Sequence, residues 1–183
     1  GDTVRIQGVS PAKNKNTLSL FANESGSTLR FLIPVSLLYS DSVEFTGSKR
    51  LLERPQTVYE ELFPRKNCFI KRNENNITVG GSLTGGVYEC KGNISSQFIS
   101  GLMFALPLLQ EDSTIDITSA LESGSYLGLT VKALAEFGVR ISRTDEHTVY
   151  IKGSQTYRKR SLKVEGDYSN AAFLDAFNQI GSD

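Results

Sequence analysis

One feature constrains this chain more than any other: part of it is written twice. Ser42-Val43-Glu44-Phe45-Thr46-Gly47 returns 72 positions later as Thr114-Ile115-Asp116-Ile117-Thr118-Ser119. The same offset sets Cys68-Phe69-Ile70-Lys71 on Arg140-Ile141-Ser142-Arg143 and Ile77-Thr78-Val79 on Val149-Tyr150-Ile151. It also sets Gly81-Ser82 on Gly153-Ser154. A period of this length means one supersecondary unit used repeatedly, with each copy burying its apolar face against a neighbour.

Within each copy the periodicities agree. An apolar helix comes first, Ser27 to Leu38 or Ser95 to Leu109. Phe98, Ile99, Leu102, Met103, Leu106 and Leu109 wrap most of the second of these, which predicts a helix buried on nearly all sides. A short alternating strand follows, Val43–Thr46 or Ile115–Thr118. Next is a second helix, Pro55–Phe63 or Gly124–Phe137, with Pro55 suited to a first turn and Gly138 to a stop. Two strands close each copy: Cys68–Lys71 with Ile77–Val79, and Val139–Arg143 with Thr148–Ile151. With its opening strand the unit is βαβαββ, an α/β (α+β) fold.

The ends read as parts of further copies. Val4-Arg5-Ile6-Gln7-Gly8 resembles a closing strand, and Val164 to Ser169 restarts the pattern of Gly92-Asn93-Ile94-Ser95 after a basic connection at Tyr157 to Arg160. The chain is therefore expected to be a piece of a longer protein.

Composition narrows the class. In 183 residues, 20 basic side chains balance 20 acidic ones, which argues against a nucleic-acid or membrane-surface partner. No apolar run reaches the roughly 20 residues of a membrane span, and no basic, apolar leader opens the sequence, so a soluble, cytoplasmic domain is expected. Cys68 and Cys90 lie in apolar strand-like runs and make neither a disulfide framework nor a metal box. His147 sits in a polar turn, and no HExxH or Walker-type motif exists.

Three helix starts share a grammar of small-residue turn and hydroxyls: Glu24 to Thr28, Gly92 to Gln97 and Gly166 to Asn170. Free N–H groups, the positive helix end and Ser hydroxyls make anion sites, although the same residues also serve as ordinary caps. The repeat further aligns Arg54 with Tyr126, each opening a second helix, and Ser123 lies three before Tyr126. Arg grips carboxylate or phosphate in a bidentate fork, and a Tyr hydroxyl donates to either. Arg54 alone reads equally well as a solvated charge in the mixed run from Lys49.

Taken in order, Glu24 to Arg30, Thr46-Gly47 to Glu53-Arg54-Pro55, Ser95-Ser96-Gln97-Phe98, Ser123 with Tyr126, and Val164 to Asp167 resemble the EPSP synthase (3-phosphoshikimate 1-carboxyvinyltransferase) family of the shikimate pathway. The resemblance runs from Val4 to about Ile180. It implies the enolpyruvyl transferase fold, two domains of three βαβαββ units each. Residues 1–163 would hold the closing strand of a first unit and two complete ones, and residues 164–183 the hinge and the start of the second domain. Implied substrates are shikimate 3-phosphate and phosphoenolpyruvate, with no metal or organic cofactor. Ser95, Ser96, Ser123 and Tyr126 resemble the shikimate-phosphate contacts, and Gln97 the glutamine between the two substrates. Gly26, Ser27 and Arg54 resemble phosphoenolpyruvate contacts, Gly26 at the glyphosate-sensitive position. Ser27 stands where many relatives have Thr, and Glu24 where many have Asn.

The family's early Lys-Ser motif with its following Arg, its catalytic Asp and its Glu-x-x-Arg segment have no counterpart in this sequence. Turnover by this chain alone is therefore not expected, while the parent is expected to be a monomeric enzyme. A missing unit would bare a core face and favour self-association. Beside this one stand a purely structural repeat protein and two further readings. The sister enolpyruvyl transferase acting on UDP-N-acetylglucosamine usually carries a reactive Cys on an Arg-rich loop, where neither Cys68 nor Cys90 sits; the other is a non-catalytic phosphate-binding module.

Overall fold

The computed structural model describes residues 3–8, 16–120, 124–166 and 168–180. In chain order the elements are β1 (Leu18–Phe21), α1 (Gly26–Ser36), β2 (Ser42–Thr46), α2 (Lys49–Leu52), α3 (Thr57–Leu62), β3 (Cys68–Arg72) and β4 (Ile77–Gly81). They continue with β5 (Gly86–Cys90), α4 (Ser96–Ala105), β6 (Ser113–Ile117), α5 (Gly124–Glu136), β7 (Ile141–Arg143), β8 (Thr148–Ile151) and α6 (Tyr168–Ile180).

The strands form two four-stranded sheets of the same design, β1-β2-β4-β3 and β5-β6-β8-β7. In each, a helical crossover makes the first pair parallel, and a tight hairpin makes the last pair antiparallel. The repeated βαβαββ unit is thus present twice. Alternation along the strands aims Val43, Phe45, Ile77 and Val79 from one sheet, and Ile115, Ile117, Val149 and Ile151 from the other, into a continuous core with Leu29 and Ile33 of α1. At its centre lies α4, whose Phe98, Ile99, Leu102 and Met103 are wholly buried, as its apolar circumference predicts.

Register departs from the single 72-residue offset. Val43 faces Val79 in the first sheet, and Ile115 faces Val149 in the second, so Val79 answers to Val149 and not to Ile151. A two-residue slip keeps every side chain on its own face, which is why the offset still matched apolar to apolar.

Several boundaries move for local reasons. Pro107 brings no N–H to the expected Ser95–Leu109 helix, which ends at Ala105 and continues as a 3-10 turn over Leu106–Leu108. The helix expected from Pro55 begins at Thr57, and a further 3-10 turn spans Phe63–Lys66. An unanticipated single turn, α2, is capped by Ser48 Oγ, which accepts from Leu51 N at 3.2 Å, and buries Leu51 and Leu52. Gly138 ends α5 as expected: at φ +83 it allows Val139 N to donate back to Leu134 O at 3.0 Å. Val4–Gly8, expected as a strand, forms no ladder among the described residues, and Val4 and Ile6 are exposed. Cys68 and Cys90 are free and buried.

Candidate functional site

Topology decides where the helix starts lie. Because β1 runs parallel to β2, α1 and the α2–α3 segment both leave from the carboxyl ends of strands, and β5 with β6 does the same for α4 and α5. Open α/β sheets characteristically receive ligands at such edges. Hydrogen bonds lace the turns there in both units: Ala22 N to Thr46 O at 2.8 Å and Ser48 N to Asn23 O at 2.7 Å in the first, Thr118 N to Cys90 O at 2.9 Å in the second. Ser119 Oγ accepts from Gly92 N at 2.9 Å and Asn93 N at 3.2 Å, fixing the approach to α4.

The starts of α1 and α4 are both capped by serine. Ser25 Oγ accepts from Thr28 N at 3.1 Å in α1, and Ser95 Oγ from Gln97 N at 3.3 Å in α4. The caps use one N–H of each first turn, and the other N–H groups remain with the positive end of the helix dipole.

Gly26, Arg54 and Gln97, far apart in sequence, come together. A Cβ placed on Gly26 would lie 2.9 Å from Arg54 Nη1 and 3.9 Å from Gln97 Oε1. Ser27, beside Gly26 in the first turn of α1, is half-buried, and Ser96, beside Gln97, is buried. Tyr126 stands at the start of α5, 56% exposed, and no contact of its side chain with Gly26, Arg54 or Gln97 is seen among the described residues. One turn beyond it Thr130 Oγ1 meets Ser100 Oγ at 2.8 Å, and Ser100 lies one turn beyond Ser96. Ser123 lies outside the described residues.

Arg30 is the site residue that motif reading overlooked. It ends the Glu24–Arg30 stretch, and its signal in the sequence is a lone cation one turn after Gly26 in an apolar helix. Its Nη1 donates to Gln97 Oε1 at 2.8 Å and its Nη2 to Pro55 O at 3.3 Å, and the guanidinium lies 4.6 Å over the Phe98 ring. Burial first, and the neighbouring Arg54 charge second, hold its pKa below the usual guanidinium range. Among the described residues neither Arg30 nor Arg54 is salt-bridged to a carboxylate. Two like charges held close, with no ion pair to a carboxylate among the described residues, favour an anion between them. The described residues contain no group of three His, Cys, Asp or Glu side chains placed to hold a metal ion.

Two βαβαββ units, with capped helix starts and a pair of guanidiniums on one edge, make an α/β protein. Residues 1–181 match the family model described as EPSP synthase (3-phosphoshikimate 1-carboxyvinyltransferase), and the chain belongs to that family. A 3-phosphoshikimate 1-carboxyvinyltransferase of Clostridium perfringens is 46% identical over all of this chain and 43% of its own length. That of Clostridioides difficile is 46% identical over 93% of this chain and 39% of its own. An EPSP synthase structure from Acinetobacter baumannii matches with a TM-score of 0.67 at 19% identity, over 86% of this chain and 35% of that one, a likeness of fold. The chain thus spans about two fifths of the length of the curated relatives it matches. Among the described residues no helix is long and apolar enough to cross a membrane.

Proposed function

We propose that this chain supplies a substrate half-site of a 3-phosphoshikimate 1-carboxyvinyltransferase. The whole protein transfers the enolpyruvyl group of phosphoenolpyruvate to the 5-hydroxyl of shikimate 3-phosphate and releases phosphate. One observation carries the reading. Arg30 and Arg54, without carboxylate partners among the described residues, converge with the starts of α1 and α4 around Gly26 and Gln97. Both substrates are polyanions, and fixed N–H donors and cations stabilise such charge best in a preorganised site.

In this reading Ser95, Ser96, Ser123 and Tyr126 hold the shikimate phosphate. Gly26, Ser27 and Arg54 hold phosphoenolpyruvate, and Gln97 lies between the two. The 5-hydroxyl oxygen gives up its proton to a base and bonds to the enolpyruvyl carbon that carries phosphate, while the methylene carbon takes a proton from an acid. The carbon–oxygen bond to phosphate then breaks, phosphate leaves, and loss of a methyl proton restores the double bond. The described residues bring the anions together; the proton transfers belong to groups elsewhere in the whole protein. Residues 1–163 belong to one domain, and residues 164–183 to the hinge and the start of the next. The whole enzyme acts as a cytoplasmic monomer, and exposed Leu174, Phe177 and Ile180 on α6 favour self-association of this chain alone.

Amide shifts of the isotope-labelled chain during titration with shikimate 3-phosphate test the reading, with inorganic phosphate and Ser95→Ala as controls. Saturable shifts centred on residues 95–97 and 126, weakened by Ser95→Ala and not reproduced by phosphate, are expected. Equal responses to phosphate would leave a generic anion module. Enzyme-like phosphate release by the chain alone would overturn the assignment of the proton transfers.

A further inference from the structure

We infer that Arg30 is a positioning residue that turns the Gln97 side chain into a hydrogen-bond donor toward the ligand; the inference rests on the substrate reading above. A guanidinium carries only N–H donors, so the Gln97 atom that meets Arg30 Nη1 at 2.8 Å is the amide oxygen. The amide is planar, and committing its oxygen fixes the direction of its NH2 group. That NH2 donates to no partner among the described residues.

Arg30 is itself held on several sides. Its plane rests on the Phe98 ring, its Nη2 is tied to Pro55 O, and its Nε is buried without a hydrogen-bond partner. A planar fork held this way keeps a direction that a flexible ammonium does not. Gln97 is anchored at its other end too, because its backbone N–H is capped by Ser95 Oγ. The free group that Gln97 offers is therefore an amide NH2, suited to an acceptor oxygen of the ligand, while its oxygen, on the Gly26 side, is held by Arg30.

Gln97→Glu tests whether that NH2 donates to the ligand. A carboxylate keeps the bond to Arg30, as an ion pair, but presents oxygen where the amide presents N–H. The variant is expected to melt no lower than the unsubstituted chain and to bind shikimate 3-phosphate at least about tenfold more weakly, one charge-assisted hydrogen bond being worth roughly that factor or more. Undiminished binding by a folded Gln97→Glu chain would overturn the inference.

A ligand-free measurement keeps this test separate from the substrate reading. The Gln97 side-chain amide should give two well-dispersed proton resonances with backbone-like order, and Arg30→Lys should collapse them toward the values of exposed glutamines while the backbone spectrum persists. An averaged, mobile Gln97 amide in the unsubstituted chain would sink the inference even where ligand binds. Dispersed resonances with no binding at all would support the positioning and fail the substrate reading instead.

Discussion

Pro34 lies inside α1 and has no N–H, so the carbonyl of Arg30, four residues earlier, lacks its helical donor. The Tyr59 hydroxyl replaces it at 2.8 Å and also lies 3.1 Å from Phe98 O. Tyr59 is wholly buried, and that burial pushes its phenol well above the ordinary range, keeping the proton needed for donation. One hydroxyl thus satisfies the backbone beneath the guanidinium that meets Gln97. Removing it with Tyr59→Phe leaves a buried carbonyl without a donor, at a cost of about 1–3 kcal/mol. Urea denaturation is the check: the midpoint should fall with an unchanged slope. An unmoved midpoint would mean that another donor reaches Arg30 O.

At the scale of elements, the helix pair α1 and α4 brings the two halves of the site together, and Gly101 sets its spacing. A Cβ there would lie 2.5 Å from Arg30 O and against the Tyr59 hydroxyl, groups that packing holds in place. Gly101→Ala gains roughly 1 kcal/mol of helix propensity but incurs about 1–3 kcal/mol of overpacking, so net destabilisation is expected. The same change at Gly26 has a different outcome. There the obstructing atom, 2.9 Å away, is the far end of the Arg54 side chain, which can swing aside. Gly26→Ala should leave the melting temperature within a few degrees and weaken anion binding by displacing Arg54, whereas Gly101→Ala should lower the melting temperature itself. Thermal melts paired with a binding titration of both variants separate the two cases.

Cys90, Tyr59, Tyr88 and Tyr157 are carried as neutral acids in the folded molecule. Burial pushes the Cys90 thiol up to about 12 and raises the Tyr59, Tyr88 and Tyr157 phenols above their ordinary values. An unfolded chain releases these protons near 9.0 for the thiol and 10.0 for the phenols, while the folded chain retains them. Above those values the unfolded state binds fewer protons, so stability falls as pH rises. The contribution of these groups is complete below about pH 9 and is lost progressively toward pH 12. Denaturation midpoints measured at steps through this range should decline, and Cys90→Ala should delay the onset toward the phenol range. A flat profile would contradict the burial of these groups.

The amino-acid sequence by itself determined the unit and its repetition. Alternating Val43 and Phe45, the serines ahead of α1 and α4 and Gly138 after α5 act through residues adjacent along the chain, so their effect is legible without the fold. Strand register was only half legible, because a slip of two residues leaves the apolar pattern of β8 unchanged. The extended Val4–Gly8 segment looked like a strand, but a ladder needs a neighbouring edge that composition cannot supply. The site divided in the same way. Ser95, Ser96 and Gln97 share one helix start and could be grouped by eye, whereas the meeting of Gly26 and Arg54 with Gln97 depends on the contact of α1 with α4. Arg30 acquired its place only there. An Arg in a helix is read as solvated until the packing shows a ring beneath it, a carbonyl at one nitrogen and an amide oxygen at another. Periodicity and capping are local, but the convergence of charges is set by how helices pack, and that was decided by the tertiary structure alone.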